Sequence, residues 1–170
     1  SQLSGETKIS MNVNQINSRY HTVQSTVKEI LKKCEQAVAA HKVYEEKYSE
    51  CLQWLTKAEE RYRRYSDVQG NREEILEKIR VVEEMLGEKH LAMSKLNTSV
   101  EFGEKLFGTT APEGREGIRL QLQDLQSSVE ALYDKISKLE RELQSKLTRW
   151  TGYEESSGAF TRWAAEVQDQ

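Results

Sequence analysis

Between Ser10 and Val68 the chain contains no glycine and no proline, and apolar residues recur there at alternating steps of four and three. The stripe begins at Ile9 and passes through Val13, Ile16, Tyr20, Val27, Cys34, His41, Tyr48, Leu55 and Tyr62 to Tyr65. A 3.5-residue period is the signature of a helix packed along a continuous seam. At ~1.5 Å per residue such a helix runs roughly 85 Å, longer than a compact domain accommodates. It must pass from one folded unit into the next.

Composition removes several classes. Nine Gly and one Pro in 170 residues are too few to punctuate a sandwich or barrel. The 25 basic and 28 acidic residues leave a formal charge of −3, which gives no electrostatic case for nucleic acid or an anionic membrane surface. No apolar run approaches the ~18–20 residues of a membrane span, and Ser1 to Ser10 lacks a signal-peptide core. No direct membrane contact is expected from this fragment. Cys34 and Cys51 lie 17 residues apart, about 25 Å along one helix, too far to bridge. Both are expected to be reduced and buried, which fits a cytosolic compartment.

The chain repeats itself. At an offset of 109 residues, Tyr44-Glu45-Glu46 falls on Tyr153-Glu154-Glu155 and Trp54 on Trp163. Ile9, Val13, Ile16 and Tyr20 fall on Ile118, Leu122, Leu125 and Val129, and the match continues to Val38 on Leu147. Heptad patterns align at many offsets, but the tripeptide and the tryptophan are not explained that way. A fixed period of this kind marks a tandem array.

After a turn at 66–71, Asn71 with Glu74 three residues on resembles a capping box. A second helix should carry Ile75, Ile79, Val82, Leu86, Met93, Leu96, Val100 and Phe107, weakened where Lys89 and Gly103 interrupt the stripe. It should end near Gly108. Pro112 suits the first turn of a third helix, whose stripe runs from Ile118 through Leu132 to Trp150. Surface pairs Asp134–Lys138 and Glu142–Lys146 should support it. Gly152 and Gly158 should make the second junction more compliant than the first. Three stripes of this length bury one another as a left-handed antiparallel all-α bundle. The expected core includes Tyr20, Trp54, Leu55, Ile79, Leu132, Trp150 and Trp163, and truncating Trp54 should cost ~3–5 kcal/mol if it is core.

With its ~106–110-residue period, the pattern Cys51-Leu52-Gln53-Trp54-Leu55 followed by Ala58-Glu59, and its shared third-to-first helix, the chain resembles the spectrin-repeat family. The resemblance implies residues 1–41 as the last helix of an upstream repeat, 42–149 as a complete repeat and 150–170 as the first helix of another. The family commonly has a second Trp in the third helix, where this chain has Tyr20 and Val129, so the repeat is divergent. The stretch from Gly103-Glu104-Lys105-Leu106 through Pro112-Glu113-Gly114-Arg115-Glu116 to Ile118-Arg119 is similar to repeats of the nesprins, with dystrophin-like and plakin-like arrays as alternatives. A nesprin likeness implies a cytoplasmic rod whose parent is anchored at the outer nuclear membrane. It implies tension transmitted to the actin cytoskeleton and docking of actin regulators such as formins.

No catalytic constellation is present. His21, His41 and His90 are dispersed without partners at metal-ligand spacing, and the glycines form no phosphate loop. No enzyme activity and no cofactor are expected. His41, on the seam, reads as a partly buried structural histidine. The aromatic set Tyr44, Tyr48, Trp54, Tyr62 and Tyr65 reads as core before it reads as a recognition surface. Lys57, Arg61 and Arg64 share one outward face and are the candidate patch for an acidic partner, with a solvated face as the default. The acidic residues Glu73, Glu74, Glu77, Glu83, Glu84 and Glu88 are a weaker candidate. Two functional classes remain: a monomeric structural rod and scaffold, or a self-associating coiled-coil or membrane-shaping module.

Overall fold

The computed structural model describes residues 2–169, without the side chains of residues 2, 3 and 153–155. The second Tyr-Glu-Glu tripeptide therefore lies outside the described side chains. Four helices follow in order: α1 Gln2–Tyr65, α2 Arg72–Gly87, α3 Lys89–Lys105 and α4 Pro112–Gln168. No strand occurs among the described residues. The fold is an all-α bundle of three rods, the middle rod being α2 and α3 in succession. Contacts divide the chain into two units, residues 1–43 and residues 44–170.

The second unit holds the core. Cys51 and Leu55 of α1 meet Ile75, Ile79, Val82 and Met85 of α2, Ala92 and Leu96 of α3, and Leu125 to Leu143 of α4 at seam spacing. Leu55, Ile79 and Leu132 are buried as their periodicity demands. Each contributes about 1.5–3 kcal/mol by leaving water. Trp54 and Trp150 are only partly buried, packed against the rim of this core. The Trp54 ring lies parallel to Tyr133 with centroids 6.3 Å apart, and Lys146 Nζ stands 5.3 Å from the Trp150 ring.

The middle rod departs from its expected register. Glu88 takes φ −83°, ψ −3° between the two helices. From there the buried positions are Ala92, Leu96, Ser99, Gly103 and Leu106. The larger residues one step along, Met93, Val100 and Phe107, are only partly buried. Size explains the turn of the face. A Cβ on Gly103 would stand 2.8 Å from Leu122 Cδ1, 3.2 Å from Tyr44 Cε2 and 3.3 Å from Ile118 Cγ2. Small residues on α3 leave room for large ones on α1 and α4, so Gly103 belongs to the seam it was expected to interrupt.

The turn between α1 and α2 follows its sequence. Gly70 has φ +129°, where a side chain would be strained. Asn71 accepts from the Glu74 amide at 2.9 Å, which caps α2. Lys78 Nζ donates to the carbonyls of Asp67 (2.5 Å) and Gln69 (2.7 Å), and Lys146 Nζ to that of Val68 (2.5 Å). Lys146 is thus anchored on the loop, not on Glu142, and no Asp134–Lys138 pair forms either. Pro112 opens α4 after extended Ala111. Gly152 and Gly158 do not interrupt α4.

In the first unit the stripe from Ile9 to Val38 is exposed, Tyr20 at 65%. The unit consists of α1 alone among the described residues, and none of them forms an antiparallel neighbour to cover the stripe there. Cys34 is exposed with it, contrary to expectation, and His41 is exposed rather than half-buried. In the second unit, Trp163 is 59% exposed. Beyond Trp150, α4 has no antiparallel neighbour among the described residues, and Trp163 meets Phe160 one turn away instead.

Candidate docking surfaces

The basic patch expected on α1 does not stand free. Arg61 is 31% exposed and ion-pairs Glu84 of α2 and Glu88 just after it, each at 3.2 Å. Its position two turns past Trp54 points the guanidinium across the α1–α2 groove. Lys57 and Arg64 remain exposed and make no ion pair among the described residues. The three side chains therefore divide into one interhelical clamp and two solvated cations.

Glu77, Glu83 and Glu84 of α2, with Glu88 after it, are engaged in the same way, whereas Glu73 and Glu74 are exposed. Arg80 bonds Glu77 at 2.6 Å and Glu84 at 3.3 Å. Its guanidinium holds the Glu77 carboxyl below the usual carboxylate range, chiefly through their hydrogen bond. Glu83 accepts from Gln144 of α4 at 3.3 Å. Exposed pairs of this kind contribute little to stability, because water screens them.

The aromatic set divides as well. Tyr44 is buried, and its hydroxyl donates to Gln121 Oε1 at 3.1 Å. Burial pushes its pKa up to about 12, with Tyr48 adding to the shift. Tyr133, which the aromatic set omitted, is likewise pushed up to about 12 by burial, with Glu88 adding to it. Tyr48, Tyr62 and Tyr65 pack on the core rim. Burial also raises the Cys51 thiol, which sits near Lys95 and Ser99. Ser99 Oγ donates to the carbonyls of Lys47 and Lys95 at 3.1 and 3.0 Å. No group of three or more metal-ligating side chains occurs among the described residues. No described helix is long and apolar enough to cross a membrane.

Sequence reasoning missed one concave basic surface. Val68, Lys138, Arg141, Glu142, Ser145, Lys146 and Arg149 line a shallow groove of about 550 Å³ beside the α1–α2 loop. Its signal was legible in the spacing: residues 138, 142, 145 and 149 follow the four-three step of the seam, one face over.

No family model matches the sequence. Over 170 residues, 99% of this chain, it is 42% identical to muscle-specific protein 300 kDa of Drosophila melanogaster, and it spans about 1% of that protein's length. Identity at that level over a whole chain carries the fold with it. A segment of the same helical kind therefore recurs inside a far longer polypeptide.

Proposed function

We propose that this chain is a rod segment of a giant cytoskeletal linker: one spectrin-like repeat, 42–149, between the last helix of one neighbour and the first helix of another. The observation that carries this reading is the pairing of a closed core with two helices that run past it. Leu55, Ile79 and Leu132 are buried within a single chain, while α1 and α4 extend without a break beyond the bundle they build. A self-associating coil would need those seam residues for a second chain. The relation to a far longer muscle protein fits a segment that works by repetition.

The nesprin likeness extends the reading. The parent would tie the outer nuclear membrane to actin, and this segment would carry load and dock actin regulators of the formin kind. Its mechanism is mechanical and non-enzymatic. Each bundle is a cooperative unit that opens under tension, and the shared helices couple it to its neighbours. Stretching the chain between its termini in optical tweezers tests the rod. Residues 44–150 should open as one step and reclose when the load is removed. Gradual lengthening without a step would refute a cooperative bundle. Recovery of formins and actin from cytosol on this segment, but not on a neighbouring pair of repeats, tests the docking role. Equal recovery on both would leave only a spacer.

A further inference from the structure

We propose that the groove beside the α1–α2 loop is a docking site for an acidic peptide segment of a protein partner. Lys138, Arg141, Lys146 and Arg149 face one carboxylate, Glu142, so the groove carries a net +3 within a chain whose net charge is −3. Lys138 and Arg141 make no ion pair among the described residues, and Arg149 bonds only the Ser145 carbonyl one turn back. Lys146 is held in place by the Val68 carbonyl and stands over the Trp150 ring. Lys146 is therefore fixed before anything binds, and Val68 with the lysine and arginine stems gives the groove an apolar floor.

The internal repeat argues that this charge is no general feature of the bundle. At the 109-residue offset, Lys138, Arg141, Glu142, Lys146 and Arg149 fall on Glu29, Lys32, Lys33, Ala37 and Ala40. Two cations against one carboxylate give +1 there, where the groove has four against one. The two cations at 146 and 149 are replaced by alanines.

A peptide fits better than a phosphate-rich surface. The net charge of −3 supplies no long-range attraction toward a membrane or nucleic acid. Glu142, in the middle of the stripe, must lie between ligand charges, which spaced carboxylates allow more readily than a dense phosphate array. Arg141 and Arg149 are eight residues apart on α4, about 12 Å. Carboxylates four residues apart on an extended segment span about the same length. The proposal stands apart from the rod reading, since the groove lies wholly in the second unit.

The test uses the full chain and a fluorescein-labelled peptide of alternating Glu and Ser, read by anisotropy. A Gln-Ser peptide and phosphatidylserine-containing vesicles run alongside. The acidic peptide should bind at low salt and the other two should not. R141E with R149E should weaken it roughly tenfold, and R141Q with R149Q by less, whereas K57E with R64E should leave it unchanged. All four side chains are exposed, so circular dichroism should be unaltered in each variant. No binding of the Glu-Ser peptide, equal loss with the α1 variant, or binding to vesicles alone would overturn the proposal.

Discussion

Gly103 offers the sharpest test of how the middle rod packs. An alanine in a helix interior is favoured over glycine by about 1 kcal/mol. At Gly117, in α4, nothing lies within 4 Å of an added Cβ. Gly117→Ala should therefore return that gain in full and raise the Tm by about 3 °C. At Gly103 the same Cβ meets Leu122 Cδ1 at 2.8 Å and two further side chains below 3.4 Å. Overpacking of a close-packed core costs typically 1–3 kcal/mol. Subtracting the helix gain leaves a net loss of about 1 kcal/mol, and the Tm should fall by about 3 °C. Thermal and urea unfolding followed by circular dichroism would read both variants side by side. If Gly103→Ala stabilises as much as Gly117→Ala, α3 does not present its small face to Tyr44 and Leu122, and the packing reasoned above is wrong.

Trp54→Ala should cost about 2–3 kcal/mol in urea unfolding, below the range for a full core tryptophan, because the ring is half-covered by Tyr133. A loss under 0.5 kcal/mol would mean that the stack contributes little. Arg61→Ala should destabilise by about 1 kcal/mol or less, with the effect shrinking in high salt as its two exposed pairs are screened; an effect indifferent to salt would assign it to packing of the stem. Tyr44 and Tyr133 have folded-state pKa values raised from 10 to about 12. The stability they lend is whole below pH 10 and is lost as pH climbs toward 12, because the unfolded phenols ionise first; a flat stability profile from pH 9 to 12 would contradict their burial. Exposed Cys34 should react with a thiol reagent at the rate of a free cysteine, and buried Cys51 only through opening of the bundle. Equal rates under native conditions would remove Cys51 from the core.

The parts of the fold that could be read from sequence were those set by period and by special backbone. The stripe of α4 from Ile118 to Leu143 is buried at the expected positions, and Asn71 and Pro112 open their helices. The register of α3 was not legible, because a seam was sought in large apolar residues while the structure chose Ala92, Ser99 and Gly103. Close approach between rods is decided by what is small, and hydropathy does not rank smallness. Tyr20 and Trp163 failed as core residues for another reason: a seam position is buried only where a neighbour exists to cover it. The candidate patch was half-legible. Sequence placed Arg61 on an outward face, but only the fold shows that Glu84 and Glu88 come round to meet it.

The lysines at 78 and 146 grip three successive carbonyl oxygens, a group that every amino acid supplies. The tether at that corner is therefore written in the helices and is blind to the identity of the residues it holds. Of the three, Gln69 is the one whose side chain can be rewritten, since Val68 packs on the core and the Asp67 carboxylate accepts from the Gln69 amide, whereas neutralising the two amines would let the corner go. Gly70, by its backbone angle, is fixed as well.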